Sequence, residues 1–193
     1  LAFSKSNVMY TRPGESMLYN ASPKSFDQLG ERSGLIFLAT DVKEAQEYAR
    51  NNSGKVREIV VEDSRLATEK QMLSLLEEVG VDVSEGLLYE MVDSRFEDFY
   101  IGDENLNKVK SEMKARGYGG FKYKDGSQLS DKGTNSVAIV DKSIIKQPDK
   151  MTPAEFASNG EALLEEGVTF NFSEFDKVIQ GTPGPLIPRI KKA

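Results

Sequence analysis

Chemistry in this chain falls to carboxylates, hydroxyls, amides and aromatic rings, because its 193 residues include neither cysteine nor histidine. Disulfides, thiol nucleophiles, zinc sites of the usual kind and histidine-based triads are thereby excluded. Two carboxylates stand out by position: Asp125 and Asp131, just before and within the polar stretch Ser127 to Gly133. Acids in such a loop are ordinarily solvated, and a mobile one is poorly preorganised for catalysis. The paired glycines of Tyr118-Gly119-Gly120-Phe121 suit a close backbone approach or a positive φ. No GxGxxG or P-loop pattern accompanies them, so they are not read as a phosphate cradle.

The elements that must position such groups alternate between short apolar runs and amphipathic stretches. Strands are expected at Asn7–Thr11, Met17–Tyr19, Gly34–Leu38, Val56–Glu62, Tyr118–Tyr123 and Ser136–Val140. Thr40-Asp41 is a natural N-cap for a helix over Lys43–Arg50, with Ala45, Tyr48 and Ala49 on one face. Thr68–Val79 reads as an amphipathic helix with Met72, Leu75, Leu76 and Val79 inward. Further helices are expected from Ser84 to Met91 and from Asn105 to Arg116, and Thr152-Pro153 opens another that leads into the acidic stretch Gly160–Glu166. Phe170, Phe172 and Phe175 follow, then a rigid turn over Gly181–Pro185. The class this implies is α+β.

Bulk composition narrows the role. With 38% hydrophobic and 29% charged residues there is apolar material for one core. The net charge is −6, the pI near 4.9, and the basic residues are scattered, which argues against direct nucleic-acid binding. The basic cluster Arg189-Ile190-Lys191-Lys192 reads as a solvated helix face or a cut end. No apolar run approaches the ~20 residues of a membrane span, and Leu1–Lys5 lacks a signal-peptide pattern. A cytoplasmic or virion-associated segment of a longer polypeptide is the expectation.

The order of motifs from Met17 to Lys146 resembles ADP-ribosyltransferases, in the version found inside phage and mobile-element polyproteins. The resemblance rests on three short motifs. Tyr19-Asn20-Ala21-Ser22 stands where the family has a Tyr-His-Gly-Ser/Thr-like sequence; Gly34-Leu35-Ile36-Phe37 followed by Ala45-Gln46-Glu47-Tyr48 matches a Gly-Ile-Tyr-Phe strand and an Ala-X-X-Tyr helix; Asn135-Ser136-Val137-Ala138-Ile139-Val140-Asp141 matches an Asn-Glu-Tyr-Ile-Val-Tyr-Asp strand. The resemblance implies a split β-sandwich of two small sheets with inserted helices. It also implies a domain over residues 17–147, between an N-terminal flank at 1–16 and a helical C-terminal flank at 148–193.

By the same resemblance Asn20 replaces the histidine that binds the adenosine ribose of NAD, with Ser22 beside it. Ile36 replaces the tyrosine that stacks on nicotinamide, Tyr48 keeps the helical aromatic, and Ser136 replaces the catalytic glutamate. An amide still donates and accepts hydrogen bonds at similar reach, whereas isoleucine has no π surface and serine no charge. On residue chemistry alone Asn20 is equally a turn residue and Tyr48 equally a core-facing one. The expectation is a non-catalytic binding or structural module with weak NAD affinity and no metal, partnered by another protein or by the rest of its parent polypeptide. The alternative is an active NAD-dependent mono-ADP-ribosyltransferase with a divergent site. Leu1-Ala2-Phe3-Ser4-Lys5-Ser6 and the stretch from Phe172 to Leu186 resemble parts of haloacid-dehalogenase-type phosphatases, which implies an insertion or cap segment of such a protein.

Overall fold

A computed structural model describes residues 7–22, 29–51, 54–84, 87–125 and 134–171. The fold is α+β and its described strands form two sheets. The chain separates into one unit built from both ends, residues 1–15 with 147–193, and a second over 16–146.

In the first unit β1 (Val8–Thr11) lies between β8 (Asp149–Met151) and β9 (Thr169–Asn171), antiparallel to both. Between β8 and β9 runs α5 (Pro153–Glu165), opened by a Thr152/Glu155 capping box with proline in the first turn. Phe156 meets Phe170 edge-on at 4.9 Å, over a small core with Val8, Met151 and Val168. The two flanks thus share one sheet, and the segment after residue 148 contributes strands as well as a helix. The stretch after Asn171, with Phe172, Phe175, the Gly181–Pro185 turn and the basic cluster, lies outside the described residues, as does Leu1–Ser6.

The second unit holds β2 (Glu15–Ser22), β3 (Ile36–Ala39), α1 (Val42–Asn51), β4 (Lys55–Glu62), β5 (Leu66–Ala67), α2 (Glu69–Glu78), α3 (Leu88–Val92), α4 (Gly102–Ala115), β6 (Gly120–Asp125) and β7 (Thr134–Ile139). The strands expected on two separate sheets share one, ordered β4-β2-β3-β7-β6-β5. The outermost strands, β4 and β5, are joined by Asp63–Arg65 alone. That link reaches roughly 15 Å, whereas six strands laid flat set the outer pair ~24 Å apart. The sheet must therefore roll at that end. Inside the roll Leu18, Ile59 and Val61 share one apolar cluster with Leu66, Val137 and Ile139.

The other face carries α2, α3 and α4, whose Met72, Leu75, Leu76, Met91, Leu106 and Met113 pack with Phe121, Tyr123 and Ala138. The pleat sorts neighbours strictly: Val137 and Ile139 enter the roll while Ala138 faces the helices. Gly119 and Gly120 serve close approach. A Cβ at Gly120 would sit 2.7 Å from the Ala138 carbonyl oxygen, and one at Gly119 2.6 Å from Ile144 Cγ2. Among the described residues no helix is long and apolar enough to cross a membrane.

Candidate functional site

Between β2 and β3 Tyr19 pairs with Ala39. A cleft of about 650 Å³ is walled by the end of β2, by β3, by α1 and by the aromatic side chains over β6. On β2, burial alternates so that Leu18, Asn20 and Ser22 are all inward. Leu18 ends in the apolar cluster, whereas Asn20 and Ser22, at 4% and 5% exposure, line the cleft. Asn20 Oδ1 is buried and meets no hydrogen-bond donor among the described residues. A buried carbonyl oxygen left in that state costs free energy that a ligand donor recovers.

On β7, Ser136 is register partner to Ala39 on one side and to Tyr123 on the other, which places it on the cleft floor at 4% exposure. On α1, Asp41 caps the helix by accepting from Lys43 N at 2.7 Å. Ala45 and Ala49 are buried, while Tyr48 is 50% exposed and borders the cleft. Tyr48 therefore does not share the core-facing side of its helix.

Ile36 is the expected site residue that the cleft does not receive. Its side chain is 1% exposed and packs inside the roll with Leu38 and Ile139. Its neighbour Phe37 faces the cleft instead, because consecutive strand residues point to opposite faces. Phe37 meets Tyr123 edge-on at 6.3 Å, and Tyr123 leads to Tyr89 and Phe96 in a run of aromatic contacts. The aromatic ring of this strand at the cleft is thus that of residue 37, not a side chain at position 36. Asp131 lies outside the described residues, and Asp125 ends β6.

Sequence reasoning passed over the charged end of the cleft. Asp93, with 3% of its side chain exposed, holds two arginines through one oxygen: Arg32 Nε at 3.1 Å from Oδ2 and Arg95 Nη2 at 2.9 Å from it. Arg95 also donates Nε and its backbone N–H to Asp93. Both guanidiniums lie near rings, Arg32 at 4.8 Å from the Phe37 centroid and Arg95 at 5.7 Å from that of Phe96. Such contacts favour a cation on a ring face.

Arg32 is delivered by a tight turn. Arg32 and Leu35 exchange backbone hydrogen bonds at 2.9 Å, with Ser33 at φ 54° and Gly34 at φ 66°. Lys110 Nζ donates to the Ser33 carbonyl at 2.7 Å, and Ser94 N donates to Ser33 Oγ at 3.0 Å. Burial pushes the Lys110 ammonium below the usual lysine range, against Asp103 and Glu31, which hold it up. The signal available beforehand was the polar Arg32-Ser33-Gly34 ahead of an apolar strand, which marks a turn and says nothing of Asp93.

No protein-family model, curated protein or solved structure matches the chain. The chemistry of the cleft must be argued from its residues. It joins an aromatic wall, an unpartnered amide oxygen, a buried serine and a pair of cations. Two further acids line it. Glu31 is ion-paired with Lys142, and Glu44 enters from α1 with Oε2 shielded from solvent. Among the described residues no group of three acidic side chains is arranged to hold a metal ion.

Proposed function

We propose that residues 16–146 are an ADP-ribosyltransferase-like module that binds a nucleotide such as NAD and has lost efficient turnover. The observation that carries this reading is the convergence of Asn20 and Ser22 from β2, Tyr48 from α1 and Ser136 from β7 on one cleft. These are positions the sequence resemblance assigns to nucleotide recognition and catalysis, and they come from separate parts of the chain. Fit to the nucleotide is supported by Asn20 Oδ1, which wants a donor such as a ribose hydroxyl, and by Phe37, which offers a ring face. NAD would bring a C–N glycosidic bond whose cleavage develops positive charge on the ribose. Ser136 has no charge to set against it, and losing one preorganised contact of this kind lowers a rate about 10²–10³-fold. Binding and turnover are separable, so affinity can outlast activity.

A second reading, an active transferase, is favoured by Glu44, a carboxylate on the same cleft. Insertion of the module into another domain is supported by β1, which pairs with both β8 and β9 and so brings its entry and exit strands together.

The test is calorimetric titration with NAD, then incubation with labelled NAD and candidate protein acceptors, for the wild type, Ser136→Glu and Glu44→Gln. Binding without transfer in the wild type, with transfer appearing in Ser136→Glu, supports the module. Transfer by the wild type that Glu44→Gln abolishes replaces it with the active reading. Absence of NAD binding removes the nucleotide.

A further inference from the structure

The arginines on Asp93 are placed as a ligand-recognition device rather than a simple surface ion pair. Nitrogens of both contact the same oxygen, Asp93 Oδ2, so the two cations are held close together. Like charges are kept at that spacing only by the carboxylate between them, and one negative charge against two leaves a net positive end. Asp93 accepts hydrogen bonds from Nε and Nη2 of Arg95, whereas Arg32 is held by charge: its Nε is 3.1 Å from Oδ2 but is not aligned to donate. Each guanidinium also lies near a ring, Arg32 at 4.8 Å from the Phe37 centroid and Arg95 at 5.7 Å from that of Phe96.

Rigidity separates this arrangement from a passing surface contact. The Arg32–Leu35 turn puts two consecutive residues at positive φ, one of them the non-glycine Ser33. Strain of that sort persists where surrounding contacts over-determine the backbone. Here Ser94 N and Lys110 Nζ hold Ser33 from two sides, and Ser94 lies between Asp93 and Arg95. The turn that carries Arg32 is thus tied to the segment that carries Arg95. A planar fork fixed in advance gives up little entropy on binding an anion, and guanidinium matches two oxygens of a phosphate at once.

We propose that Arg32 and Arg95, positioned by Asp93, form an anion clamp at one end of the cleft. It takes a phosphate or similar compact anionic group of a ligand whose planar part rests against Phe37. The identity of that planar part as a nucleoside rests on the nucleotide reading above; the clamp itself does not. Glu31 directly precedes Arg32 and its charge beside the clamp is offset by Lys142, whereas Glu44 comes from α1 on another wall of the cleft. Glu44 opposes an anion placed against α1 and so gives the ligand a direction.

The experiment is calorimetric titration of the full chain at low ionic strength with inorganic pyrophosphate, AMP and adenosine separately. Wild type is compared with Arg32→Gln, Arg95→Gln and the pair combined, each checked for folding by circular dichroism. Pyrophosphate and AMP bind the wild type, and affinity falls about tenfold or more in the combined variant, the scale of a lost charge-assisted hydrogen bond. Adding salt weakens the same two ligands. Arg95→Gln decides the matter if Arg32→Gln does not fold, because the Arg95 side chain is 56% exposed. Pyrophosphate binding that needs the arginines, with adenosine inert, supports the clamp and removes the nucleoside. Failure of pyrophosphate and AMP to bind the wild type, or their binding to the variants at unchanged affinity, overturns the clamp, and adenosine binding in that case leaves the nucleoside reading standing.

Discussion

The Arg32 guanidinium stands 3.1 Å from the buried Asp93 carboxylate while lying 4.8 Å from the centre of the Phe37 ring. One side chain thereby links the turn before β3, the segment after α3 and the aromatic wall of the cleft. Removing the charge it leans on must be felt in the fold as well as at the site.

Asp93→Ala is expected to destabilise the protein by about 2–3 kcal/mol in urea unfolding. Breaking a fully buried pair costs roughly 3–5 kcal/mol, and the exposure of Arg95 lets water screen part of that. Arg95→Gln, at the exposed end, is expected within about 1 kcal/mol of wild type. Equal losses for the two variants would show that Asp93 is not the group holding the pair.

Positions 36 and 37 are expected to respond in opposite ways to a tyrosine. Ile36→Tyr forces a larger ring and a hydroxyl into the inside of the roll, where Ile36 is 1% exposed. It should lower stability by about 1–3 kcal/mol or more and leave NAD affinity no better. Phe37→Tyr adds a hydroxyl at the cleft, should cost under about 1 kcal/mol and should retain ligand binding. Thermal melts of the two variants decide between them; a benign Ile36→Tyr would mean that β3 presents the other face.

Acid is expected to weaken the turn that follows β7. The Ser143 hydroxyl and backbone N–H, aided by Arg65, hold the Asp141 carboxyl below the usual carboxylate range. A depressed carboxylate stabilises the fold above its unfolded value and loses that contribution as pH falls through the folded one. The loss therefore falls below about pH 4. Asn at 141 still accepts from Ser143 N, which lies 2.9 Å from Asp141 Oδ1, but cannot titrate. Unfolding free energy measured from pH 6 to 2.5 should fall less steeply in Asp141→Asn than in wild type. Identical slopes would place the acid sensitivity elsewhere, for instance at Glu62, held low by Lys146.

Local physics made several elements legible in advance. Thr68 and Thr152 form the capping boxes that begin α2 and α5, and Met72, Leu75 and Leu76 are inward as their spacing requires. The runs at 34–38, 56–62, 118–123 and 136–140 carry strands with ends shifted by one or two residues, since backbone pairing rather than apolarity sets where a strand stops. Absence of cysteine and histidine restricted the chemistry before any coordinate was known. Tertiary structure decided the rest. Whether Ile36 or Phe37 faces a cleft depends on which surface of β3 meets the roll, and a one-residue shift of the pleat reverses it. That β4 and β5 end one sheet, rather than two, follows from pairings between strands far apart in the chain. Asp93 illustrates the limit most directly. Its neighbours in sequence identify Arg95 as a partner, but Arg32 reaches it only because Ser33 and Gly34 turn the chain back beneath Lys110. Propensity and periodicity act over a few residues; a charge pair closed across the fold has no local signature.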